Sequence, residues 1–165
     1  MSKPIRRVVT GHKEGASTVL IDDKLDPAPG FASKAATIWQ NHQYPAELAD
    51  HDAAQGKAYI YNKGSLIRVV DFPPNSTGHN HRTASLDYGI IIEGEIELEL
   101  EDGSKTIVRA GDIVVQQATM HKWNNHTDKV CRMIFALLPS ETAKGPDGKE
   151  LKDHGIPKKY QVDEQ

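Results

Sequence analysis

Three histidines and one aspartate are the side chains of this sequence whose types and spacing suit metal chemistry. His79 and His81 are two residues apart, and in a β-strand that spacing places both imidazoles on the same face. Asp87 follows within an apolar run, where a buried carboxylate needs a cation. His121 begins a third candidate strand. Three imidazoles and one carboxylate suit a divalent Zn, Fe, Mn, Ni or Cu ion, whereas Ca or Mg prefers more oxygen ligands.

The elements that must position these side chains are short β-strands. From residue 58 onward, β-rich runs alternate with turn signals, which is typical of an all-β sandwich or barrel. Within 95–101 acids and aliphatics alternate, so one face is buried and the other is wet, and Asp102-Gly103 then closes a hairpin. We expect roughly eight strands, and nine candidate segments could supply them: 58–61, 66–72, 78–82, 86–92, 95–101, 105–109, 113–117, 122–125 and 130–138.

The length of 165 residues predicts a single domain, which we divide into three parts. Residues 1–56 are predicted to be an N-terminal arm that packs on the barrel or on a dimer partner. Residues 57–139 are predicted to form the barrel, and residues 140–165 a polar surface extension with little core. Possible short strands of the arm lie at 8–9 and 19–21, before a Pro- and Gly-rich breaker at 26–30.

The amino-acid composition limits the expected binding partners and the expected cellular compartment of the protein. The net charge is −3 and the basic residues are scattered among acids, so we expect no nucleic acid partner. Cys131 is the lone cysteine, which favours a reducing compartment. The first residues lack the apolar run of a signal peptide, and no run approaches a membrane span, so we expect a cytoplasmic protein without a membrane partner.

The residues around the candidate ligands resemble the cupin superfamily, whose two motifs read G(X)5HXH(X)3,4E(X)6G and G(X)5PXG(X)2H(X)3N. The first motif is matched by His79-Asn80-His81, by Asp87 in the acid position one residue farther along, and by Gly94. The second is matched at the positions Gly111, His121 and Asn125, while Gln117 and Thr119 stand at its Pro and Gly positions. A shorter string from His81 to Glu95 also resembles single-domain microbial cupins.

The resemblance implies a jelly-roll β-barrel with a divalent metal inside it. It also implies a homodimer, since cupins often pair through N-terminal strands. The metal ligands it implies are His79, His81, Asp87 and His121. Microbial relatives of this size include lyases of natural-product pathways, so the resemblance implies a role in secondary metabolism.

Other polar residues are weaker candidates. Tyr61 and Arg68 lie on strands that reach toward the cavity, where a phenol transfers protons and a guanidinium holds carboxylates, although packing and surface salt bridges explain them equally well. Trp123 is interpreted as a residue of the hydrophobic core, and the alternative is that it contacts the substrate. Asn125 is interpreted as a hydrogen-bonding residue in a turn or behind the ligands. The remaining histidines, His12, His42, His51, His126 and His154, are interpreted as structural or exposed.

Three functions remain open from the sequence. The favoured hypothesis is a metal-dependent lyase, a dehydratase or decarboxylase, that acts on a small oxygenated molecule. The second is an iron-dependent dioxygenase that uses the same open coordination positions for substrate and O2. The third is a binding module that holds a small ligand without turnover.

Overall fold

The computed structural model describes residues 2–30, 32–55 and 64–156, and every element of regular structure in those ranges is a β-strand. This confirms the all-β fold class. The same ranges hold no helix that is long and apolar enough to cross a bilayer. The strands are β1 (Ile5–Lys13), β2 (Ala16–Leu25), β3 (Ala28–Pro29), β4 (Lys34–Asn41), β5 (Ser65–Phe72), β6 (Ser85–Glu93), β7 (Glu95–Leu100), β8 (Lys105–Arg109), β9 (Ile113–Gln117), β10 (His121–Asn124) and β11 (Cys131–Pro139).

Two antiparallel sheets enclose the core. The larger has the strand order β3-β4-β5-β11-β6-β9 and the smaller the order β10-β7-β8, while β1 and β2 form a separate hairpin. Buried side chains from both sheets make one hydrophobic cluster, in which Val70 and Met133 of the larger sheet join Leu98 and Trp123 of the smaller one. Burial of each such side chain stabilises the fold by roughly 1.5–3 kcal/mol.

Most of the strands predicted for the barrel are present within one or two residues. The segments 66–72, 86–92, 95–101, 105–109, 113–117, 122–125 and 130–138 correspond to β5 to β11. The hairpin at Asp102-Gly103 is also confirmed, since it joins β7 to β8. The segment 58–61 lies outside the described residues.

The predicted strand at 78–82 is wrong. His81 makes a single bridge with His121, and Arg82 makes a single bridge with His154. Because adjacent residues pair with two different parts of the chain, neither pairing propagates into a ladder.

Two strands of the N-terminal part are not among the predicted ones, namely the two-residue strand β3 and the longer strand β4. β4 pairs with β5 along nearly its whole length and so extends the larger sheet, and a β-bulge between Thr37 and Trp39 interrupts the pairing. A bulge shifts the alternation of inward and outward side chains by one residue. The period of two that would reveal a strand is therefore absent from the sequence of β4.

The connection between β5 and β6 lies against β10 and carries two of the candidate ligands. Gly78 makes this close approach possible, because a Cβ built on it would lie 2.1 Å from the carbonyl oxygen of Trp123. Ser76 and Asn125 exchange two main-chain hydrogen bonds of 2.8 and 2.9 Å beside it. The connection is thus fixed to β10 on both sides of His79.

Asn125 closes the turn after β10 and has no exposed surface. Its Nδ2 donates hydrogen bonds to the carbonyl oxygens of Phe72 and Lys129, at 3.1 and 2.8 Å. Its Oδ1 accepts from the main-chain nitrogen and the hydroxyl of Thr127, at 3.0 and 2.8 Å. This confirms its interpretation as a turn hydrogen-bonding residue.

We predict that Asn125→Ala lowers the free energy of unfolding by about 2–4 kcal/mol, because it leaves buried donors and acceptors without partners. Chemical denaturation measures the change. Gln117→Ala on the exposed end of β9 is the control, with an expected change within about 0.5 kcal/mol. Equal midpoints for both variants would contradict the prediction.

Arg7 of β1 ties the N-terminal hairpin to the rest of the chain and is 4% exposed. Its guanidinium donates to both carboxylate oxygens of Asp52, at 2.7 and 2.9 Å, and to the carbonyl oxygen of Ile38 at 3.2 Å. It also pairs with Asp23 across the hairpin. The hydrogen bonds from Arg7 lower the pKa of Asp52 from 3.8 to about 2.

This pKa predicts a stability change at acidic pH. The folded-state pKa of Asp52 lies below its unfolded value, so its stabilisation is present above pH 4 and is lost as the pH falls toward 2. Between pH 5 and pH 2, the free energy of unfolding should fall for both the unmodified chain and Asp52→Asn. We expect the fall to be about 1 kcal/mol smaller for Asp52→Asn, because it has no carboxylate to protonate at this position. Urea denaturation at each pH measures the difference.

Asp50→Asn is the matched control for this measurement. The side chain of Asp50 is 97% exposed, so this variant should retain the pH dependence of the unmodified chain. Identical pH profiles for the two variants would refute the role of the Arg7–Asp52 pair.

Candidate metal centre and cavity

All four predicted ligands line one cavity of about 230 Å³. Its polar wall consists of Thr37, Arg68, His79, His81, Thr83, Asp87 and His121. Its apolar wall consists of Val70, Phe72, Trp123, Phe135 and Leu137. A third wall comes from the N-terminal part and has small side chains, those of Ala28, Pro29, Gly30, Ala32, Ser33 and Ala35.

His81 and His121 form the best-defined pair in this cavity. Each donates its main-chain N–H to the carbonyl oxygen of the other, at 3.0 Å in both directions. Residues directly opposite each other in an antiparallel bridge point their side chains to the same face. The two imidazole centroids are accordingly 4.3 Å apart.

Hydrogen bonds fix the orientation of both rings. Nδ1 of His81 is 3.0 Å from the carbonyl oxygen of His79, and Nδ1 of His121 is 2.9 Å from that of Thr119. A carbonyl oxygen only accepts, so each Nδ1 carries the proton and Nε2 is the nitrogen with the lone pair. Metal-binding histidines are typically oriented in this way.

Burial keeps both rings neutral at pH 7. It lowers the pKa of His121 to about 3, with a further lowering by His81. Burial also lowers the pKa of His81, and Arg68 lowers it further. A neutral imidazole is the form that donates its lone pair to a metal.

The other two predicted ligands have different partners. His79 stacks on His81 with a centroid distance of 5.7 Å, and its Nε2 contacts the carbonyl oxygen of Gly155. Asp87 is 4% exposed and accepts a hydrogen bond from Gln116 at 3.0 Å through Oδ2, while its Oδ1 has no hydrogen-bond partner among the described residues. Burial raises the pKa of Asp87.

The donor chemistry of this site fits a divalent transition metal. Two neutral imidazoles are held side by side, and among the described residues the buried Oδ1 of Asp87 has no hydrogen-bond partner. Within 2–30, 32–55 and 64–156, however, no three His, Cys, Asp or Glu side chains lie close enough together to hold an ion as they stand. Coordination by three or four of the predicted ligands therefore requires side-chain rotation, and the four-residue ligand set stays a prediction.

Of the two predicted catalytic residues, only Arg68 is described. It lines the cavity, its charge further lowers the pKa values of His81 and His121, and it opposes the rise that burial causes in the pKa of Asp87. It therefore supplies a positive charge close to the imidazole pair. Tyr61 lies outside the described residues.

The comparisons with known proteins agree with this architecture. Residues 68–137 match the Cupin domain family. The chain is 39% identical over 150 residues to the cupin-domain-containing oxidoreductase fogC of Aspergillus ruber, covering 84% of this chain and 73% of that protein. The chain belongs to the cupin family.

Further relatives of this cupin come from other fungi. It is 40% identical over 150 residues to the oryzines biosynthesis cluster protein J of Aspergillus oryzae, covering 83% of this chain and 84% of that protein. Among solved structures, the Cnp3 cupin domain of Schizosaccharomyces pombe superposes with a TM-score of 0.52 at 11% identity, covering 85% of this chain and 90% of that domain. At that identity, the structure supports the fold alone.

Sequence reasoning missed the wall that the N-terminal part gives to the cupin cavity. The Pro- and Gly-rich segment 26–30 is interpreted from the sequence as a breaker, yet 28–30, 32, 33 and 35 line the same cavity as the candidate ligands. Nothing about their small side chains indicates, from the sequence alone, that these residues line a cavity. Only the pairing of β4 with β5 brings them to the site.

We predict that His81→Ala and His121→Ala each weaken Co(II) binding by roughly 100-fold, because each removes an oriented imidazole donor. Co(II) is the probe because its absorption spectrum reports coordination. His51→Ala is the control, since that side chain is 75% exposed, and it should bind Co(II) like the unmodified chain. Unchanged Co(II) affinity in both cavity variants would exclude this pair as the metal centre.

Proposed function

We propose that this cupin is a metal-dependent oxidoreductase that oxidises a small oxygenated organic molecule with O2 in secondary metabolism. The observation that carries the proposal is the oriented, neutral pair of His81 and His121 on the wall of a cavity that also holds Arg68. Two imidazoles next to a cationic side chain suit a metal-bound substrate that carries negative charge.

The names of the relatives support oxidation over the lyase chemistry favoured from the sequence. Proteins of Aspergillus ruber and Hypocrea virens, 39% and 37% identical to this chain, are named cupin-domain-containing oxidoreductases. The Aspergillus oryzae relative is named for a biosynthesis cluster. These names support the reaction class and the metabolic setting, and they leave the substrate open.

The residues that line the cavity have different roles in binding the proposed substrate. The guanidinium of Arg68 donates hydrogen bonds to an anionic oxygen, such as that of a carboxylate or an enolate. Trp123 and Phe135 pack against the apolar part of the substrate, and the small side chains of the N-terminal wall exclude water from their side of the cavity. A volume of about 230 Å³ limits the substrate to a small molecule.

The bound ion supplies Lewis acidity and open coordination positions. His81 and His121 would hold it, and His79 and Asp87 would be the further ligands. O2 is the oxidant, and incorporation of both oxygen atoms into the substrate balances the electrons without an external reductant. This is the dioxygenase form of the proposal, with iron as the matching metal.

A lyase is the second candidate, and one observation favours it. Oδ1 of Asp87 is buried at the cavity wall without a hydrogen-bond partner among the described residues. In that position the carboxylate is able to accept a proton from a substrate carbon or return one to a leaving hydroxyl. Dehydration or decarboxylation by this route consumes no O2.

The two candidates predict different metals and different oxygen consumption. We expect protein purified without added metal to contain iron and to take up O2 when given members of a panel of small hydroxy acids, oxo acids and phenols. Arg68→Met should raise KM for the anionic substrates by about 10–100-fold, since a charge-assisted hydrogen bond contributes about 1.5–3 kcal/mol. Elemental analysis and an oxygen electrode provide the measurements.

Arg109→Met serves as the control, because its side chain is 64% exposed and it pairs with Glu95. It should leave oxygen uptake unchanged. If the protein binds zinc and converts members of the panel without oxygen uptake, the oxidoreductase proposal is wrong and the lyase proposal is favoured. A ligand that co-purifies and is recovered unchanged after incubation would instead indicate a binding module.

A further inference from the structure

The two sheets of the barrel present very different outer faces. The outward side chains of β7 are glutamates, and two of them, Glu97 and Glu99, pair with Lys105 of β8. On β6 the carboxylate of Asp87 faces the cavity, while the alternate positions on the opposite face are apolar: Tyr88, Ile90 and Ile92. An antiparallel sheet with one face in water normally carries polar residues on that face. The larger sheet lacks this polar outer face.

Strand pairing extends the apolar surface across five strands. Residues directly opposite each other in antiparallel strands place their side chains on the same face of the sheet. The register from β4 through β5, β11 and β6 to β9 gives two transverse rows of such residues. The first row is Trp39, Ile67, Ala136, Tyr88 and Val115. The second row is Ala36, Val69, Ile134, Ile90 and Ile113. These ten residues, none of which is charged, are called the outer apolar face.

The chain itself covers one side of the outer apolar face. Val69 and Ala36, on the strands β5 and β4, are buried. The N-terminal hairpin lies at this side, since the guanidinium of Arg7 in β1 donates a hydrogen bond to the carbonyl oxygen of Ile38 at 3.2 Å. The apolar residues near β4 therefore have an intramolecular cover.

The side toward β9 is open. Ile113 is 64% exposed and Val115 is 54% exposed. β9 is also the last strand of the larger sheet, and its sequence contains neither a charge nor a proline. Charged residues and proline are the usual protection of an edge strand in water, and coverage by another segment is the alternative. The composition of β9 thus indicates that something covers this side.

The charges that border the face are already paired within the chain. The guanidinium of Arg132 donates to both carboxylate oxygens of Asp71, at 2.6 and 2.7 Å. The ammonium group of Lys3 is 3.4 Å from a carboxylate oxygen of Glu93. A nucleic acid or a charged peptide would need opposite charges on the face for recognition, and the ten residues offer none. The surface therefore suits an uncharged, flat partner.

A second copy of the chain meets both requirements. Five strands about 4.8 Å apart span roughly 20 Å, and two sheets pack face to face at a distance of about 10 Å. A twofold axis brings the same uncharged surface of both copies into contact. With its rim, a face of this extent approaches the about 800 Å² per partner that a stable interface buries.

We propose that two copies of this chain associate through their outer apolar faces, around the open part formed by Tyr88, Ile113 and Val115. The resemblance to cupins implies a homodimer through N-terminal strands, whereas this interface lies on β6, β9 and β11. It goes beyond the proposed function, because it requires neither the metal nor the reaction.

Two valines of equal exposure provide the test. Val115 in β9 and Val19 in the N-terminal hairpin are both 54% exposed. Sedimentation velocity of the unmodified full chain, between about 1 and 100 µM, should show a species with twice the mass of one chain. Val115→Lys should raise the dimer dissociation constant at least about 100-fold, because each copy places an ammonium group in an apolar interface. Val19→Lys should leave it unchanged.

A second pair of variants compares the two sheets. Ile113→Lys should weaken the dimer as Val115→Lys does. Ile107→Lys is the matched control, because Ile107 is an exposed isoleucine on β8 of the smaller sheet. It should sediment like the unmodified chain.

Footprinting with hydroxyl radicals locates the interface without any substitution, so it does not depend on the folding of a variant. Tyr88 should react less at 100 µM than at 1 µM, because the partner covers it. Tyr44, which is 57% exposed outside the outer apolar face, should react equally at both concentrations. Mass spectrometry of the peptides measures both rates.

Three results would overturn the proposed interface. They are an unmodified chain that stays monomeric at 100 µM, a dimer that Val19→Lys weakens as much as Val115→Lys, and a Tyr88 that is not protected in the dimer. A monomeric chain that floats with vesicles of phosphatidylcholine and phosphatidylserine, and loses this binding in Val115→Lys, would assign the face to a membrane instead. Each of these results leaves the metal centre to its own test, which is Co(II) binding.

Discussion

The main-chain bridge between His81 and His121 is the interaction on which the site depends. It joins the connection after β5 to the start of β10, so two histidines 40 positions apart come to lie opposite each other with their rings on one face. Gly78 lets that connection pass against the backbone of Trp123, and Asn125 closes the turn beyond β10. Burial then removes the charge from both imidazoles, and the hydrogen bonds to Nδ1 leave Nε2 for a metal. The main-chain hydrogen bonds thus determine where the two imidazoles lie and which of their nitrogen atoms is available to a metal.

Much of the barrel and the polar wall of the cavity could be predicted from the sequence, because both depend on local periodicity. Alternation in 95–101 predicted β7, and the spacing of His79 and His81 together with the inward position of Asp87 predicted a shared cavity. The cupin resemblance rests on the same short segments. Each of these signals is contained within a few consecutive residues, so no knowledge of distant pairing was needed.

The missed features depend on contacts between distant segments. A bulge removed the alternation from β4, and the small residues that precede it give no indication that they face the cavity. His81 pairs with His121 of β10 and Arg82 pairs with His154, so the sequence predicts a strand where the described residues contain only isolated bridges. The partner of His79 is a main-chain carbonyl at Gly155, and a main-chain group leaves no trace in residue type.

The small-residue wall of the cavity has a consequence for how substitutions change the shape of the cavity. The residues of that wall, Ala28, Pro29, Gly30, Ala32, Ser33 and Ala35, lie outside the stretch 68–137 that matches the cupin family, while the imidazoles and Arg68 lie inside it. Exchanging an alanine of that wall for a larger residue would narrow the cavity without changing a residue of the matched stretch. The space beside the imidazoles is therefore set in part by residues that the family match does not include.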